Sequence, residues 1–159
     1  MPGVEFFALY MIAASVWAAS SFVYSLPGSR STLLGAEVVQ FAGIFAMPAA
    51  WFVFTLKYTG RERWLVSPVR FFLIAVPALG LLFWILHHFA RAVPPPAGAP
   101  WVSGMDWTFN VYASVLILGG ALLILQEAIQ SPRIYRSQYL ILLTGGLAPW
   151  ILGCLLYTS

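Results

Sequence analysis

Apolar residues fill this chain in five long blocks separated by short polar stretches. Val4 to Leu26, Leu33 to Leu56, Val69 to Phe89, Thr108 to Leu125 and a run starting near Gln138 each carry almost no charge. A helix of about 20 apolar residues crosses a bilayer, so each block reads as a span. The longest polar interruption is Leu56 to Ser67 (LKYTGRERWLVS), with Lys57, Arg61, Glu62 and Arg63 set among Tyr58 and Trp64. Cations stay on the cytoplasmic side during insertion and Tyr and Trp settle at the headgroups, which makes this a short inner loop. The predicted fold class is all-α, a polytopic transmembrane helix bundle of about five spans.

Features inside the blocks suggest how they pack. In the first, Ala14 and Ala18, and Ser15 and Ala19, recur at four-residue spacing, a stripe that lets a neighbouring helix approach. The block ends at the turn formers Pro27-Gly28-Ser29. In the second, Pro48 removes a backbone donor and predicts a kink, while Glu37 and Gln40 lie near one end. A carboxylate in a span is expensive, so Glu37 either serves a function or reaches headgroup water. Ser67-Pro68 is a start signal for the third helix, since proline in the first turn sacrifices no hydrogen bond.

That helix ends at His87 and His88. Adjacent helical residues point about 100° apart, so the two do not form the i, i+4 pair that grips a metal. They read as interfacial groups, or as one ligand or pH-sensing side chain. Ala92 to Trp107, with Pro94, Pro95, Pro96 and Pro100, predicts an extended outer loop in which Trp101 and Trp107 bracket Asp106. The fourth block holds Asn110, Tyr112 and Ser114 early and Gly119-Gly120-Ala121 late, groups suited to bonding and close packing between helices. Thr144-Gly145-Gly146 and Pro149 in the fifth predict a helix buried in the bundle, because such breakers need neighbours to satisfy their backbone.

Composition agrees: 61% of residues are hydrophobic and 8% charged, far from the roughly 25% charge of a soluble domain. The net charge of +3 is confined to loops and so speaks of topology, with no nucleic-acid partner. The start lacks the basic n-region of a cleavable signal, and Cys154 alone makes no internal disulfide.

Two segments carry a resemblance. FVFTLKYTGRERWL (Phe52 to Leu65) resembles the Tyr-Thr-Gly-Arg signature of the seven-helix N-terminal membrane region of bacterial sensor histidine kinases. SPRIYRSQYLILLTGGLAPW (Ser131 to Trp150) is similar to that family's Ser-Pro, Tyr-Arg, Gln and Pro-Trp pattern. His87 and His88 stand where the family often ends a helix with histidine, although the acidic or Asn-Asp residues common before it are missing. The resemblance aligns the first block, with Pro2-Gly3 and Trp17, to the second of seven helices, so a first and a last helix are expected to be missing and surfaces meant for them to face lipid. It implies residues 1–153 as an incomplete sensor region. Cys154 to Ser159 (CLLYTS) is also the translation of TGT-CTC-TTA-TAC-ACA-TCT, which resembles the end of a transposon-based sequencing adapter, and is expected to be absent from the natural protein.

No Gly-rich nucleotide loop, positioned carboxylate pair or metal-ligand cluster is legible, and no catalytic residue or cofactor follows from the resemblance. The expected function is a membrane-embedded sensory and anchoring region that passes a signal to a cytoplasmic output domain. That output is a kinase or, alternatively, a diguanylate cyclase. The expected partners are the bilayer, that domain in the same full-length chain and a second copy as a homodimer. A transporter or channel fragment is the competing class, favoured by Pro48 and Thr144-Gly145-Gly146. A plain anchor is the third. Candidate ligand-binding residues are Glu37, Gln40, His87, His88, Asn110 and Tyr112, read as lying near the outer ends of their spans and sharing a wet cavity.

Six of the eight cations fall in the stretches around 57–70 and 128–137, leaving Arg30 and Arg91 on the other side. Residues 57–68 and 128–137 are therefore expected in the cytoplasm of a bacterial or archaeal cell, and 27–32 and 92–107 outside. Cysteines placed at Ser67 and Ser103 check this: Ser67→Cys should react with an impermeant reagent only from inside, and Ser103→Cys only from outside.

Overall fold

A computed structural model describes the backbone of residues 3–24, 26–27, 29–89 and 100–157. It describes side chains at all of these except 24, 30–34, 87–89, 100–106, 133–135, 150 and 152–157. Five helices follow in order: α1 (Val4–Tyr24), α2 (Arg30–Tyr58), α3 (Ser67–Phe89), α4 (Pro100–Gln130) and α5 (Arg133–Tyr157), and the described residues hold no strand. Each is apolar on nearly all sides, as a helix facing both neighbours and lipid must be. Four contain stretches long and apolar enough to cross a membrane, Val4–Val23, Gly35–Tyr58, Ser67–Leu86 and Trp107–Gln130, and α5, at 25 residues, has spanning length as well.

α2 is the axis of the bundle. α1, α3 and α5 run antiparallel to it and α4 parallel, so one end gathers the start of α1, the polar turn after α2 and the α4–α5 connection. Lys57, Arg61, Arg63, Arg70 and Arg136 stand at or near this basic end.

The core closes on Trp51, which is fully buried. Its ring lies 5.5 Å from Tyr10 of α1 and 5.8 Å from Phe54, and its Nε1 donates to the Ile117 carbonyl of α4 at 3.3 Å. Two glycines make room for it. A Cβ on Gly120 of α4 would sit 2.6 Å from Trp51 Nε1, and one on Gly146 of α5 would sit 2.2 Å from the ring. The Tyr10 hydroxyl donates to the Gly146 carbonyl, tying α1 to α5 over the same ring. Helices in lipid associate by packing rather than by hydrophobic exclusion, so notches of this kind decide where they touch.

Three expectations are corrected. The α1 stripe of Ala14, Ala18, Ser15 and Ala19 does not form the contact with α2: Ala14 is half-buried and the other three are exposed. The buried side is Tyr10, Ala13 and Ser20, and the close approach is made from α2, where a Cβ on Gly43 would meet the Ala13 carbonyl at 2.9 Å. α5 is not buried, since Gly146 is its one buried position among the described residues. It packs through Tyr139, Leu142, Leu143 and Leu147, while Thr144 satisfies itself on the Leu140 carbonyl within the helix. Finally, the helix begins at Pro100, so Trp101 to Trp107 belong to α4 instead of a loop. Continuing the helix pairs backbone groups that a loop would leave to water. Pro48, as expected, sits inside α2, fully buried.

Trp51→Ala should cost roughly 3–5 kcal/mol, the range for emptying a large aromatic from a core. Ile141→Ala, on the exposed face of α5, should fall within about 0.5 kcal/mol of wild type. Denaturant titration of both variants in mixed micelles measures the gap, and similar midpoints would contradict the central role of Trp51.

Candidate functional site

At the basic end, the sequence YTGR becomes a helix terminator. The Gly60 N–H donates to the Lys57 carbonyl at 3.2 Å and the Arg61 N–H to the Leu56 carbonyl at 2.8 Å, the paired bonds of a Schellman ending. Gly60 supplies the left-handed residue this requires, with φ of 69°. The Thr59 hydroxyl covers the Thr55 carbonyl at 2.8 Å. Tyr58 meets Tyr139 of α5 edge-on at 5.7 Å.

The reversal at Gly60 aims Arg61 across to α4. Its Nη2 donates to Gln126 Oε1 at 3.1 Å, and its guanidinium lies 5.9 Å from the centre of the Trp64 ring. Its Nη1 is buried with no hydrogen-bond partner among the described residues, so the charge is held against protein as well as at the surface. A short 3₁₀ turn, Glu62–Trp64, leads to α3, where Arg70 Nε donates to the Leu65 carbonyl at 2.6 Å. Lys57 joins this end to α1 through Glu5 at 3.1 Å and sits 4.6 Å over the Phe6 ring. The sequence reading took these cations as a topology signal and missed that Arg61 bridges two connections. The αL-favouring glycine directly before an arginine was the available clue.

At the opposite end lie most of the candidate ligand residues. Gln40 Nε2 donates to Ser21 Oγ of α1 at 2.9 Å, and Glu37, one turn away on α2, is half-buried. His87 and His88 occupy the last turn of α3, with side chains outside the described residues. Asn110 is exposed on α4. Tyr112 turns the other way: its hydroxyl meets the Leu73 carbonyl of α3 at 3.5 Å, in the second turn from the basic end.

Among the described side chains, Gln40 and Tyr112 therefore bond in different places. Between Gln40 on one side and Tyr112 on the other stand aromatic rings, Phe41 on Trp84 at 4.5 Å and Phe45 edge-on to Phe109 at 4.3 Å. These fill the space between α2, α3 and α4. The reading from sequence placed Asn110 and Tyr112 by distance from the helix end alone, and the direction of a side chain is not contained in that number. Among the described residues there is also no group of His, Cys, Asp or Glu arranged to hold a metal. What is described at this end is the bond by which Gln40 of α2 joins Ser21 of α1.

A family model described as the N-terminal 7TM region of histidine kinase matches residues 1–159, the whole chain. Neither a curated protein nor a solved structure matches.

Gly60→Ala should destabilise the bundle by about 1 kcal/mol or more, because alanine at positive φ is strained. Arg61→Lys, which keeps the charge and loses the planar fork, should lower stability without inverting the helices. Denaturant midpoints read the first effect and cysteine labelling the second. Unchanged midpoints in both variants would remove the motif from the structural account.

Proposed function

The chain belongs to the N-terminal 7TM region of histidine kinase family, and from that membership we propose a sensory and anchoring membrane region that passes a signal to a cytoplasmic output domain of the same full-length chain. The family match along all of the chain carries this reading. The basic end faces the cytoplasm, where Arg61 and Gln126 join the α2–α3 turn to α4. The far end faces outward and receives the stimulus at Glu37 and Gln40 of α2, together with His87 and His88 of α3. This chain supplies no catalytic group. It sits as a multi-pass protein in a bacterial or archaeal cytoplasmic membrane, and a second copy of the chain is its expected partner.

The mechanism is a shift between two helix arrangements that bind the stimulus unequally. A ligand at the far end changes how α1, α2 and α3 meet there, and α2, the axis of the bundle, carries that change to the basic end. Transport asks for discontinuous helices around a midplane site. Here α5 is helical through Thr144-Gly145-Gly146, and the notch at Gly146 is filled by Trp51, which weighs against that class.

In the full-length protein, Glu37→Gln or His88→Ala should change the stimulus response of the output domain several-fold while membrane abundance stays at the wild-type level. Quantified output in membranes, normalised to an immunoblot, gives the answer. Wild-type responses from both variants would leave the region as an anchor.

A further inference from the structure

α3 is lightly held by the bundle: Leu73 is its one buried position among the described residues, and it meets α4 sparsely. It also carries Pro77 in its interior. Proline has no N–H, so the carbonyl four residues earlier, that of Leu73, loses its helical donor. Leu73 is buried. A carbonyl left open at membrane depth is costly, and such breaks persist where a neighbouring group takes over the bond. The hydroxyl of Tyr112, from α4, lies 3.5 Å from that same carbonyl oxygen.

We propose that the Tyr112 hydroxyl is a latch that replaces the hydrogen bond Pro77 denies to Leu73, and that opening it frees the basic-end half of α3 to swing about Pro77. The other half of α3 is fixed by shape. Phe45 lies over Gly80, where a Cβ would come within 2.9 Å of the ring, and Trp84 stacks on Phe41 at 4.5 Å. On the basic side of Pro77, Phe71, Phe72 and Ile74 are exposed, and the contact to α4 is the latch. A phenol can release a carbonyl by rotating, without breaking any turn of α4. Tyr112 is thereby a positioning residue, with a role other than ligand contact. The consequence for signalling rests on the function proposed above, whereas the latch itself does not, and the test reads distance alone.

The experiment uses the whole chain in lipid nanodiscs, with Cys154→Ser and spin labels on Ile74→Cys and Leu122→Cys, both exposed positions. Distance distributions are compared for Tyr112→Phe, Pro77→Ala and the pair together. Tyr112→Phe removes the hydroxyl and keeps the ring, and should move the population ratio roughly threefold towards a second distance, the effect of an average hydrogen bond between membrane helices. Pro77→Ala returns an N–H to Leu73, so in that background Tyr112→Phe should change nothing. Where Pro77→Ala fails to fold, Pro77→Leu restores the same N–H with more bulk. An equal shift in both backgrounds would mean Tyr112 acts by packing, and no shift beside Pro77 would mean there is no latch. Either result overturns the proposal.

Discussion

The bundle depends on one indole fitting two gaps. Lipid tails are as apolar as the helices, so nothing drives these helices together except shape and hydrogen bonds. Trp51 supplies both, because its ring enters the spaces at Gly120 and Gly146 and its N–H takes the Ile117 carbonyl. With Tyr10 lying against it, a single side chain of α2 fixes α1, α4 and α5 at one level. α3 has no part in that contact, which explains why it rests on the outside of an otherwise interlocked group.

Either side of this level the chemistry differs. Towards the basic end, backbone geometry governs: the left-handed Gly60 closes α2 and turns Arg61 onto Gln126. Towards the far end, side chains govern, with Gln40 on Ser21 and a layer of packed aromatic rings beneath. Close-packed layers resist continuous deformation and tend to change by discrete steps. The polar end and the basic end are therefore separated by a layer of rings that is either seated or displaced.

Much of the fold was legible because hydrophobic length is a direct physical requirement of a bilayer. The starts of α1 and α3 and the ends of α2 and α3 follow from runs of apolar residues and from Ser67-Pro68. Gly119-Gly120 announced close packing, and Gly120 does receive Trp51; Gly145-Gly146 was read as a breaker, and the notch it offers at Gly146 was not foreseen. Which side of a helix is buried was less legible. The moment of an all-apolar helix is weak, so the small stripe on α1 was indistinguishable from the true face at Ala13, and the exposed flank of α5 from a buried one. For the candidate site, polar residues were grouped by depth, and depth alone does not give a side chain's partner. Tyr112 bonds to Leu73 of α3 and Gln40 to Ser21 of α1, and neither partner is written in the one-dimensional pattern.

The interior prolines bear on how such a chain is made. A helix with every amide paired is self-sufficient on leaving the insertion machinery. α3 is not, because the Leu73 carbonyl stays open until a residue 39 positions later arrives. Across the bundle, Tyr10 bonds to a carbonyl 136 positions away, one turn before Pro149. The first helix thus enters the bilayer with a phenol whose acceptor has yet to be synthesised. Within the described helices, the Tyr10–Gly146 and Tyr112–Leu73 bonds each wait on a partner made later in the chain, so the earliest and latest of these helices depend on one another.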